Sequence, residues 1–195
     1  MNPEHPIASP FGWHFDGYEN YSTTIGNNVV AHENFDGGEK WRNNHRPSAN
    51  ADLFFEYAVD FDREPETYID AAITNLFYWN NVLHDLFYVY GFDEVAGNFQ
   101  EYNFEKGGRD GDPVIANAQD GSGYNNANFA TPPDGKHGKM RMYVWDSVEP
   151  MRDGDLEGDI VIHEYSHGVT NRLTGGPHNV GCLGWGEPGG LGEGW

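Results

Sequence analysis

The stretch Ile160-Val161-Ile162-His163-Glu164-Tyr165-Ser166-His167-Gly168 sets two imidazoles four residues apart, with a carboxylate beside the first. On an α-helix, residues i and i+4 share a face about 6 Å apart along the axis, so two imidazole nitrogens there can converge on one ion. Zinc suits such a pair, with Zn–N distances of about 2.0–2.1 Å and a tetrahedral preference. Glu164 then flanks the ion without ligating it, placed to take a proton from an activated water. Ile160, Val161, Ile162 and Val169 make the helix a buried one. Two imidazoles and a carboxylate without partners would be costly to desolvate there, which favours a metal centre over a chance match.

A catalytic zinc needs a third protein ligand and an open fourth position. A third His in the metzincin spacing would require Gly at 170 and His at 173, but those positions hold Thr170 and Leu173. A Cys ligand is disfavoured, because Cys182 lies in a Gly- and Pro-rich run that reads as a loop. Two acids remain after His167, namely Glu187 and Glu193, and spacing alone leaves both open. The helix is expected to begin near Asp155 or Asp159, either able to cap free N–H groups, and to end at Gly175-Gly176. Gly168 inside it costs up to about 1 kcal/mol relative to Ala. That cost points to close packing, and the helix that carries Glu193 is the neighbour first expected. Asn171 and Arg172 read as braces of the site or as surface residues.

Working outward, Pro65 opens and Gly91 closes a stripe of Ile69, Ile73, Leu76, Asn80, Leu83, Phe87 and Tyr90 at spacings of three and four, which predicts one long helix. His84 and Asp85 within it read as a solvated or hydrogen-bonded pair. Met140-Arg141-Met142-Tyr143-Val144-Trp145 alternates and predicts a strand with one aliphatic face inward. Leu53 to Phe61 is apolar enough to suggest another strand. Residues 1–50 read as irregular structure with short β-prone pieces such as Tyr21 to Ile25. Pro132-Pro133-Asp134-Gly135 is a turn. No repeat, linker or low-complexity tract divides the chain.

The formal net charge of −20 argues against nucleic-acid binding. No apolar run approaches the roughly 20 residues that span a bilayer, so no membrane partner is expected. Met1 to Pro6 has neither the charged start nor the apolar core of a signal peptide. A single cysteine, Cys182, excludes an intrachain disulfide and is expected to be a packed thiol. Asp153-Gly154-Asp155 and Asp110-Gly111-Asp112 are candidate Ca²⁺ runs, although neither completes an EF-hand loop.

Larger blocks around these residues resemble the fungalysin-type zinc endopeptidases, relatives of the thermolysin-like gluzincins. The blocks are Arg152-Asp153-Gly154-Asp155-Leu156-Glu157, the 160–168 stretch, Asn171-Arg172-Leu173-Thr174-Gly175-Gly176 and Gly189-Gly190-Leu191-Gly192-Glu193-Gly194-Trp195. Upstream, residues 107–112, 118–123 and Asn125-Asn126-Ala127-Asn128-Phe129-Ala130-Thr131-Pro132 are similar too. The resemblance implies an α+β fold, the amino-terminal half of a thermolysin-like zincin, with mixed sheet, irregular loops, a long helix and the metal helix. It selects Glu193 as third ligand beside His163 and His167, with Glu164 as general base. It also implies a substrate-pairing edge at Asn126 and Ala127, protein or peptide substrates, an inhibitory propeptide and an extracellular location. The family pattern continues past Trp195, so residues 1–195 are expected to form part of a catalytic domain. The rival expectation is a metal-binding piece without turnover. Oligomeric state is not legible.

Overall fold

The computed structural model describes residues 3–50 and 52–194. Strands β1 (Val29–Glu33), β2 (Val114–Ala118), β3 (Ala127–Ala130) and β4 (Lys139–Met142) form one sheet in the order β1-β2-β4-β3. The first three in that order are parallel, with Val29 opposite Val114 and Ala116 opposite Met140. β3 runs antiparallel to β4, with Ala127 opposite Met142, and forms an edge of the sheet. β5 (Val144–Trp145), which follows β4 after Tyr143, pairs with β6 (Arg152–Asp153) in a separate two-stranded ribbon.

Parallel strands need a long crossover, and the one between β1 and β2 contains α1 (Ile69–Val89). A 3₁₀ turn at Pro65–Tyr68 leads into this helix, with Pro at its first position where no N–H partner is needed. At the far end Gly91 takes φ +101°, its N–H reaches the Tyr88 carbonyl at 3.0 Å, and the Phe92 N–H reaches Phe87 at 2.9 Å. This paired closure caps the last free carbonyls, a task Gly performs without steric cost. Of the expected stripe, Ile73, Leu76, Asn80 and Leu83 are buried, Ile69 and Phe87 pack against the core, and Tyr90 is exposed. His84 and Asp85 are a buried pair, with Nδ1 and Oδ1 2.9 Å apart. Asp85 also accepts the His5 N–H at 2.8 Å, the Ser9 hydroxyl at 2.6 Å and the Trp13 indole at 2.8 Å, pinning the amino-terminal segment to α1.

The core unites α1 with Val29 and Ala31, Val114, Ala116 and Ala118, Met140 and Met142, and Val161, Tyr165 and Val169 of α2 (Gly158–Thr174). All five residues of β2 are buried, so both faces of the sheet are covered. The expected 140–145 strand is broken at Tyr143 into β4 and β5, with Met140 and Met142 inward. The expected strand over Leu53 to Phe61 is absent: Leu53 sits at φ +59°, and Leu53, Phe54 and Phe61 are exposed with no partner strand. Apolar content without a neighbour to complete the ladder leaves extended coil there. Tyr21 to Ile25 contributes single bridges, Thr23 to Ser48 and Ile25 to Val30. Among the described residues no helix is long and apolar enough to cross a membrane.

Candidate metal centre

α2 carries the His pair and starts at Gly158, next to Asp159 as expected, but neither Asp155 nor Asp159 caps it. Glu157 occupies the cap position with no side-chain bond, while Asp153 caps the preceding 3₁₀ turn, Gly154–Leu156, by accepting the Asp155 N–H at 2.9 Å. Asp155 is then buried rather than available as a cap, with Oδ2 accepting the Gln119 N–H at 3.0 Å. The helix ends, as its glycines suggest, with Gly175 as cap.

His163 and His167 turn their Nε2 atoms to within 3.0 Å of each other. The Glu193 Oε2 lies 3.4 Å from the first and 3.5 Å from the second. A tetrahedral zinc with bonds near 2.0–2.1 Å spaces its ligand atoms about 3.3–3.4 Å apart; both Glu193 spacings match this, and the 3.0 Å between the imidazoles has only to open by a few tenths of an ångström, so the donor set suits zinc. They form the single group of at least three such side chains converging within 4.8 Å among the described residues. Glu187 falls outside that group, in the first turn of α3 (Gly186–Gly192). Burial pushes the His167 imidazole below its ordinary pKa against the opposing pull of Glu193, which favours the neutral, lone-pair form that ligation needs.

Glu164 is buried, and one of its oxygens has no hydrogen-bond partner. Burial raises its pKa to about 7, a rise that His163 opposes and Glu193 reinforces. A carboxylate poised near neutrality suits a group that accepts and then returns a proton.

A cleft of about 400 Å³ joins these side chains to Asn126, Ala127, Asn128 and Phe129 along β3. The Asn126 carbonyl accepts the Tyr143 N–H at 3.2 Å and so faces β4. Alternation along an antiparallel ladder therefore turns the main-chain groups of Ala127 and Phe129 to the open edge.

Gly168 packs closely, but not on the helix before Glu193: a Cβ there would lie 2.8 Å from the rings of both Phe129 and Phe99. Arg172, expected as a brace or a surface residue, is fully buried and ion-paired with Asp112 at 2.7 Å. That pairing engages one of the two candidate calcium runs, where Asp112 also accepts the N–H groups of Gln100 and Gly135. Sequence reading did not find this pair, because its members stand 60 residues apart with no periodic signal between them. Cys182 is exposed, contrary to the packed thiol expected, and its Sγ lies 3.4 Å from the Asn179 amide. The Gly-rich loop around it has too few large side chains to bury it.

The sequence model of the fungalysin metallopeptidases (M36) matches residues 1–195. The chain is 58% identical over 194 residues to extracellular metalloproteinase 5 of Trichophyton tonsurans, covering all of this chain and 32% of that protein. It is 58% identical to extracellular metalloproteinase 5 of Arthroderma benhamiae, covering 30% of it, and 57% identical to extracellular metalloproteinase 1 of Arthroderma gypseum, covering 31%. The chain thus spans about a third of the length of these curated relatives. With a whole-length family match on a chain that converges two histidines and a glutamate over an open strand edge, this protein belongs to the fungalysin metallopeptidase family.

Proposed function

We propose that residues 1–195 form part of the catalytic domain of a secreted zinc endopeptidase, with His163, His167 and Glu193 as the metal ligands and Glu164 as the general base. When bound there, zinc supplies a Lewis-acid charge that polarises a carbonyl and lowers the pKa of water toward about 7. Glu164 takes the proton of the attacking water and delivers it to the leaving amine, so no covalent acyl-enzyme is required. Ala127 presents the main-chain groups of the β3 edge to an extended peptide, which adds as a further strand, and Asn126 lines the cleft beside it. Main-chain pairing of this kind accepts many side chains, as protein substrates demand, and an inhibitory propeptide would compete for the same edge. The relatives are named extracellular, which supports secretion of this chain.

The observation that carries the reading is the convergence of three candidate ligand atoms in a cleft walled by the edge strand β3. Its test is cleavage of an unstructured protein with and without a chelator, for the wild type and for Glu164→Gln. The variant should keep its zinc and lose about 10²–10⁴-fold in turnover. Chelator-sensitive cleavage at the wild-type rate by Glu164→Gln would overturn the assignment of the base. A second reading, a metal-binding module without turnover, is favoured by the Glu193 side chain, which is 68% exposed. Stoichiometric zinc with no chelator-sensitive cleavage by the wild type would establish it.

A further inference from the structure

The last two turns of α2 are fastened to the segment that begins in β3. Gly168 abuts Phe129 within β3. Asn171 Nδ2 donates to the Thr131 hydroxyl oxygen at 3.1 Å, one residue past the end of β3. Arg172 Nε and Nη2 donate to the Pro132 carbonyl at 3.3 and 3.2 Å, and Nη2 also donates to the Lys136 carbonyl at 3.0 Å. Positions 168, 171 and 172 stand at i, i+3 and i+4 and so share one helix face. All three bear on residues 129–136.

Arg172 does more than neutralise Asp112. Its Nη1 donates to the Asp112 carboxylate at 2.7 Å and to the carbonyls of Gly97 and Asn98 at 2.8 and 3.3 Å, and the guanidinium lies 4.1 Å from the centre of the Phe99 ring. Every nitrogen of the fork is engaged, which is the condition for tolerating a fully buried cation. Five carbonyl and carboxylate targets on three chain segments need the planar fork of Arg, which Lys does not offer. Arg172 follows His167 by five residues, about 7.5 Å along the axis. A shift of its carbonyl partners therefore changes how β3 lies against the ligand-bearing turn.

We propose that Arg172, seconded by Asn171, is a positioning residue that sets the gap between edge strand β3 and the turn of α2 bearing His163, Glu164 and His167. The proposal rests on the endopeptidase reading above. A long peptide paired along β3 reaches Glu164 in register only when that gap is held, whereas a blocked dipeptide amide that barely touches β3 depends on it little. Misplacement of about 1 Å commonly costs up to about 10²-fold in rate.

The test compares Arg172→Lys and Thr131→Val with the wild type in the full-length protein. It measures zinc content, hydrogen exchange of the β3 amides paired to β4, and kcat/KM on a long unstructured peptide and on a blocked dipeptide amide. Both variants should retain zinc while the β3 amides exchange about tenfold faster and those of β1 and β2 are unchanged. Cleavage of the long peptide should fall about 10–100-fold in Arg172→Lys and several-fold in Thr131→Val, with a clearly smaller loss on the dipeptide amide. Equal losses on both substrates, or unaltered exchange in β3, would overturn the proposal. If Arg172→Lys does not fold, Thr131→Val decides, since it removes one hydrogen-bond acceptor and leaves the side-chain volume in place. A wild type that cleaves neither substrate would sink the endopeptidase reading, and the exchange comparison would still decide whether the clamp exists.

Discussion

His163 and His167 stand on a 17-residue helix whose inner face is sealed by Val161, Tyr165 and Val169, whereas Glu193 follows a seven-residue, glycine-rich helix and keeps its side chain 68% exposed. Between them the three supply one set of donors, yet the fold invests differently in each side. Packing of α2 against the core and the sheet fixes the imidazoles before any ion arrives. Short isolated helices are marginal in water, and glycine adds backbone entropy that must be removed to hold Glu193 in place. On the proposed ligand set, part of the free energy of metal binding would therefore go into ordering the acidic side and little into the imidazole side.

The largest expected effect breaks or upholds this contrast directly. Apparent zinc affinities of about 10–16 kcal/mol in structural sites, shared among four ligands, amount to about 10²–10³-fold per ligand. His167→Ala should lose zinc affinity by that factor. Glu193→Ala should lose about tenfold less, because the ordering cost of its segment is returned. Competition against a chromophoric chelator measures both, and a Glu193→Ala loss equal to that of His167→Ala would remove the distinction.

A smaller effect probes the rigid side alone. Gly168→Ala drives a methyl to 2.8 Å from Phe129 and Phe99, rings that cannot yield without moving β3 or the loop at 99. Overpacking of this kind costs about 1–3 kcal/mol, read as a lower midpoint in urea with an unchanged slope. An unchanged midpoint would mean that α2 is less tightly seated than the contact implies.

The smallest effect is a pH slope in the framework beneath α2. Burial pushes the Asp85 carboxyl up, but His84, the His5 N–H and the Ser9 hydroxyl outweigh it and hold the group below its ordinary value. The native state therefore binds fewer protons than the unfolded chain over that interval. The stability this group contributes is full above the unfolded value of about 3.9 and is lost as pH falls through the lower folded value. Asp85→Asn should be less stable by about 0.5–1.5 kcal/mol at pH 7 and should show a flatter loss of stability below about pH 4. A variant with the wild-type acid limb would assign that limb to other carboxylates.

The same contrast explains what could be read from the residues alone. α1 and α2 announce themselves through apolar positions at helical spacing, and the His-Glu-His constellation is local to one turn and a half, so both were legible. β1 and β2 were not, because both faces of the sheet are covered. Their sequences, VVAHE and VIANA, therefore lack alternation and even bury His32 and Asn117. Leu53 to Phe61 misled for the opposite reason, having strand-like composition and no partner. Glu187 and Glu193 were inseparable by spacing, since only the path of the chain after Gly175 decides which acid returns to the imidazoles. For Arg172 a brace and a surface role stayed equally open, because its partner Asp112 lies 60 residues upstream.

The register of the sheet also dictates an order of assembly. β3 and β4 meet across a short connection, but Val29 must find Val114 with most of the first half of the chain, α1 included, lying between them. Closing so long a loop carries an entropy cost that only subsequent contacts repay, which slows folding. A nascent β2-β4-β3 unit, local in sequence, therefore waits with the outer flanks of β3 and β2 both unpaired until β1 arrives on one side. During that wait it offers two sticky margins instead of one, so the chain is most exposed to association with other copies before its sheet is complete.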